Sequence, residues 1–76
     1  MSKRPILAFS ALKHGIKRED ILHAYRNQFQ TWELGDGFTM VIGASQSGAI
    51  LEVGCVKRDV APVIVHAMRA REKFLR

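Results

Sequence analysis

An α+β layer fold is what this 76-residue chain predicts: two N-terminal helices packed on a four-stranded antiparallel meander, closed by a short basic C-terminal helix or tail. Three observations point there. Apolar residues recur at helical spacing up to about residue 27. From Gln28 onward the period drops to two. Turn-forming groups then punctuate the chain at Gly35-Asp36-Gly37, at Ala44-Ser45-Gln46-Ser47-Gly48 and at Arg58-Asp59. With 47% hydrophobic and 25% charged residues, positions 1–76 read as one small folded domain, near the size at which a single core just suffices.

Each element has its own warrant. Pro5 suits the first turn of a helix over residues 6–14, and Leu7, Ala8, Ala11 and Leu12 give that helix an apolar face. Gly15 supplies a left-handed C-cap, with Lys13 and His14 in the last turn, where cations complement the helix dipole. The second helix spans residues 18–27. Ile16 and Ile21 staple around a cap at Lys17, Glu19 and Asp20 fill the first turn, and Ile21, Leu22, Ala24 and Tyr25 face inward. Strands follow at residues 28–34, 38–43, 49–57 and 62–68. In the last, His66 has Ile64 and Met68 as same-face neighbours by simple alternation.

The formal net charge of +5 favours polyanionic partners, nucleic acid first and an acidic protein second. Cys55 is the only cysteine, which excludes an internal disulfide and a cysteine-built metal site. Its place between Val53 and Val56 reads as a small buried hydrophobe in a reducing, cytoplasmic setting. The basic start is followed by too short an apolar stretch for a signal peptide or a membrane span, so a membrane role is not expected. The loop at residues 43–48 has two glycines but lacks the lysine and helix of a phosphate-binding P-loop. No histidine pair at helical spacing with acidic support points to a metal.

The tail is the most informative stretch. An apolar strand runs into His66 and then into Arg69, Arg71, Lys73 and Arg76, four cations within eight residues. Histidine is the side-chain type that exchanges protons near neutrality, and clustered arginines suit phosphate. Those cations read either as a solvated, fraying end or, because Phe74 and Leu75 within the segment imply docking on the core or on a partner, as an ordered cluster.

Two stretches resemble a known family. Lys13-His14-Gly15-Ile16 followed by Glu19-Asp20-Ile21 is similar to the helix-turn-helix segment of BrnT-like toxins. Residues 48–56, then Ile64-Val65-His66-Ala67 and the basic segment, resemble that family's meander and arginine-rich turn. The resemblance implies a fold related to RelE-type ribonucleases, metal-independent and cofactor-free RNA cleavage, and a cognate antitoxin as partner in a type II toxin–antitoxin system. The chain departs from the pattern in three ways. It begins at a predicted helix where the family opens with an aromatic strand, a strand that another copy of the chain could supply in a homo-oligomer. It carries His66 where a serine is common, and Met68 where an arginine is.

RNA cleavage by its own 2′-hydroxyl needs a proton acceptor, stabilisation of the charged phosphorane and a proton for the leaving 5′-oxygen. The candidates are His66 as base or acid and Arg69 and Arg71 as catalytic phosphate clamps. Lys13, His14, Lys73 and Arg76 would bind RNA, with Lys3, Arg4, Lys17 and Arg18 extending the track. Blander readings compete: a half-buried structural His66, a capping His14, a solvent-facing His23, and a packed rather than base-stacking Trp32. Glu52, alone among apolar neighbours, reads as a cross-strand ion pair with Arg69 or Arg71. The alternative function is a non-catalytic nucleic-acid-binding or interaction module, a degenerate toxin included.

Overall fold

The computed structural model describes residues 4–75. Its centre is the expected meander: β2 (Gln28–Gly35), β3 (Phe38–Ala44), β4 (Ile50–Val56) and β5 (Val63–Arg69), each antiparallel to the next. A further strand, β1 (Ile6–Leu7), adds parallel to β5, so the sheet is mixed and five-stranded, in the order β1-β5-β4-β3-β2.

This overturns the two-helix start. Among the described residues there is one α-helix, α1 (Arg18–Arg26); the segment expected as a first helix is β1 followed by a 3₁₀ turn at Phe9–Leu12. The physical reason is a non-local bond pattern. The Ile6 N–H donates to the Pro62 carbonyl and the Ala8 N–H to the Ile64 carbonyl, both at 2.9 Å, which draws residues 6–8 out of helical geometry. The opening strand therefore comes from this same chain. Gly15 does take the left-handed conformation, with φ of 78°, but ends the 3₁₀ segment rather than an α-helix. Helix α1 matches its expected bounds to within a residue, with Lys17 at the N-cap and Ile21 and Ala24 fully buried.

The sheet has two unlike faces. On the first, α1 and the 3₁₀ turn cover Val41, Leu51, Val53, Cys55, Ile64 and Ala67, which form the main core with Ala11, Ile21 and Ala24. Gly43 lets the helix sit this close: a Cβ there would run into the Ala24 carbonyl. Burial pushes the Cys55 thiol up to about 11, so it is an inert packing group. On the second face, Met40 and Ile42 pack with Trp32, Phe38 and Ile50 beneath Phe74.

Phe74 belongs to the closing 3₁₀ turn Glu72–Phe74, so the basic tail docks rather than frays. Trp32 Nε1 donates to the Phe74 carbonyl at 3.1 Å, and the two rings lie 6.4 Å apart. Leu75 stays half-exposed. Among the described residues no helix is long and apolar enough to cross a membrane.

Candidate active site

One irregularity in β5 sets up the site. Gly54 pairs with His66, but the next residue, Cys55, pairs with Ile64, so Val65 is an extra residue opposite no partner. Such a bulge re-aims the side chains on either side of it. Ile64 joins the helix-covered core with Cys55, whereas His66 stands on the opposite face. The simple alternation that put Ile64 and His66 on one face is thus corrected. Gly54 leaves His66 room, since a Cβ there would lie 3.1 Å from the His66 Cβ.

Beside His66 on that face is Glu52, in the central strand β4 and wholly buried. A carboxylate there must be paired and fully hydrogen-bonded. His66 Nε2 lies 2.8 Å from Glu52 Oε2. Arg71 donates its backbone N–H to Oε1 at 2.8 Å and its Nη2 to Oε2 at 2.7 Å, while its Nε bridges both oxygens at 3.1 Å. Burial pushes the Glu52 carboxyl up. The Arg71 side chain, the Arg71 backbone N–H, the His66 bond and the Arg71 charge together outweigh burial and hold it below the ordinary carboxylate range. The same hydrogen bond to Glu52 raises the Arg71 guanidinium.

The ionised carboxylate only accepts, so His66 donates from Nε2 and its Nδ1 is the nitrogen left for other work. Glu52 thereby fixes the orientation and tautomer of a ring whose side chain is 25% exposed. The His14 ring meets it edge-on, with centroids 5.7 Å apart and planes 77° to one another. Arg71 uses Nε and Nη2 on Glu52, which leaves Nη1 without a partner among the described residues. Its guanidinium carbon also stands 5.5 Å from the Phe74 ring centroid, and Lys73 Nζ stands 5.1 Å from it, so the docked phenyl ring holds both cations.

The expected residues therefore divide. His66, Arg71 and His14 converge, and Lys73 is held beside Arg71 through Phe74. Arg69 does not join them. It pairs in register with Leu51, a residue of the helix-covered core, and so points to the other face of the sheet. Its expected place beside His66 is corrected on that ground. Lys13 is exposed next to His14, and both Arg76 and Lys3 lie outside the described residues. His23 is not solvent-facing: its Nδ1 donates to the Ala44 carbonyl at 2.7 Å, tying α1 to the end of β3.

Sequence reasoning named Glu52 as an ion-pair partner of an arginine but missed its hold on His66. The signal was present in a lone acid within an apolar strand; the bulge that brings the two together was not. Among the described residues no group of three histidine, cysteine, aspartate or glutamate side chains is placed to hold a metal ion. No family model, no curated protein and no solved structure matches this chain.

Proposed function

We propose that the chain is a metal-independent endoribonuclease acting in the cytoplasm as the toxin of a toxin–antitoxin pair. The observation that carries the reading is the 2.8 Å contact between buried Glu52 and His66, with His14 edge-on to that ring and Arg71 on the same carboxylate. A histidine oriented by a carboxylate is the arrangement that general acid–base chemistry uses. His66 Nδ1 accepts the proton of the ribose 2′-hydroxyl as that oxygen forms its bond to phosphorus. Arg71 turns Nη1 to the phosphorane oxygens. The bond to the 5′-oxygen breaks as His14 delivers a proton to it, giving a 2′,3′-cyclic phosphate and a 5′-hydroxyl. The nucleophile belongs to the substrate, so proton transfer and charge stabilisation are all the protein must supply. The net charge of +5 suits both RNA and an acidic or amphipathic antitoxin covering the basic surface.

A non-catalytic nucleic-acid-binding module is the second reading, favoured by one observation. Arg71 commits its backbone N–H, Nε and Nη2 to Glu52, as a purely structural clamp on the tail would.

The test is purified protein with end-labelled RNA in excess EDTA, comparing wild type with His66→Gln and His14→Gln, with circular dichroism to check folding. Cleavage to cyclic-phosphate ends, slowed by about 10²- to 10⁴-fold in His66→Gln, is expected. RNA that stays intact with wild type, or is cut equally fast by His66→Gln, would sink the catalytic reading. Retained RNA binding in that case would leave the module. Growth arrest on expression in a bacterium, relieved by the same substitutions, tests the toxin assignment.

A further inference from the structure

The segment Lys13-His14-Gly15-Ile16-Lys17 bounds two places at once. At His14 it touches His66. From the very next residue, Gly15, Ile16 and Lys17 line a cleft of about 230 Å³, which the Ser45–Ser47 turn and the end of β5 at Arg69 also line. The cleft is thus a short step along the chain from the candidate active site, on the side of the sheet to which Arg69 points.

Its chemistry is that of an anion site. The Arg69 and Lys17 side chains have no hydrogen-bond or ion-pair partner among the described residues, in contrast to Arg71, whose Nε and Nη2 are committed to Glu52. The Ser45 and Ser47 hydroxyls stand 3.1 Å apart and Ser45 also accepts the Ala49 N–H, which leaves the exposed Ser47 hydroxyl with hydrogen-bonding capacity to spare. One carboxylate, Asp20, shares the lining, and its Oδ1 accepts the Gln46 N–H at 3.4 Å. Two cations face one acid there, a net positive cleft with hydroxyl donors.

We infer that this cleft is a phosphate subsite for single-stranded RNA, taking a backbone phosphate that flanks the bond at His66, with Arg69 and Lys17 as its ligands. The inference rests on RNA as the substrate. It gives Arg69 a binding role in place of a catalytic one. It also makes the Lys13–Lys17 segment the connection between chemistry and grip: the strand passes from His66 across His14 and Gly15 to Arg69. Gly15 leaves this passage open, since nothing lies within 4 Å of where a Cβ would stand.

The experiment measures binding apart from cleavage. A single-stranded oligodeoxynucleotide lacks the 2′-hydroxyl nucleophile and cannot be cut, so its dissociation constant can be followed against salt. Wild type is compared with Lys17→Gln/Arg69→Gln and with Lys57→Gln/Arg58→Gln, exposed cations beyond the opposite end of β4. Both pairs are on the surface, so folding is expected to survive. The Lys17/Arg69 pair should weaken binding about tenfold or more at low salt. It should also flatten the log–log salt slope by roughly 0.7, the value for one phosphate contact on a single strand. The Lys57/Arg58 pair should change little. Equal affinity and slope for Lys17→Gln/Arg69→Gln and wild type would overturn the subsite, as would equal losses for both pairs, the mark of diffuse attraction. If RNA is cut but the Lys17/Arg69 pair leaves binding unchanged, the subsite fails and the ribonuclease stands. If binding depends on the pair but RNA is never cut, the ribonuclease fails and the subsite stands.

Discussion

The two faces of the sheet bury side chains by opposite means. Under α1, Val53, Ile64, Ala67 and Ile21 exclude water completely and carry no charge. Under the tail, the equally buried Glu52 sits in the middle of the same strand as Val53 and needs His66 and three donors of Arg71 to be there at all. The apolar face is what stabilises so small a fold. A buried ion cluster is a poor way to gain stability, because desolvation offsets most of the attraction. Where a 76-residue chain gives the centre of one face to such a cluster, the cluster is the place to look for function.

Three substitutions probe this contrast, the largest effect first. Ile64→Ala removes a fully buried side chain from the apolar face and should cost about 2–5 kcal/mol in urea unfolding. That loss should be nearly independent of pH. Arg71→Gln attacks the other face and should behave differently. The wild-type Glu52 carboxyl is held below its ordinary range, so its contribution is complete above the unfolded carboxylate's range and is lost as pH falls through the lowered folded value. In the variant, burial acts on Glu52 without the guanidinium. The stability gap from wild type should therefore be widest at neutral pH and close on acidification. A gap that stays constant with pH would show that Arg71 acts by packing on Phe74 alone. Smallest, Trp32→Phe removes the bond from Nε1 to the Phe74 carbonyl while keeping the ring contact. A loss of about 0.5–1.5 kcal/mol is expected, together with faster amide exchange at Phe74 and Leu75.

The same contrast explains what could be read from the sequence. Strands β2 to β5 and helix α1 follow from local alternation and capping, which the residues themselves display. Strand β1 has two residues, too few for any period to show, and its partner Val63 is far along the chain. Leu7, Ala8, Ala11 and Leu12 fit a helical face, and only the bonds to Pro62 and Ile64 decide against it. At the site, His66, His14 and Arg71 were recognisable by residue type. Their convergence was not, because one extra residue at Val65 reverses the facing of everything before it. Arg69 was misplaced for a related reason: proximity in sequence to Arg71 hides that the two occupy opposite sides of the sheet.

The parallel pairing of β1 with β5 also has a consequence for the order of events during synthesis. Ile6 finds Val63 only after the whole meander between them has been made, so this ring closure is among the most distant in the molecule and forms late. It is the closure that carries the segment with His14 up to His66, while Arg71 must emerge later still to engage Glu52. A nascent chain therefore holds the helix and the hairpins without the assembled cluster. On the proposed ribonuclease reading, the cluster stays incomplete, and the ribosome making the chain is spared, until the residues around Arg71 have emerged.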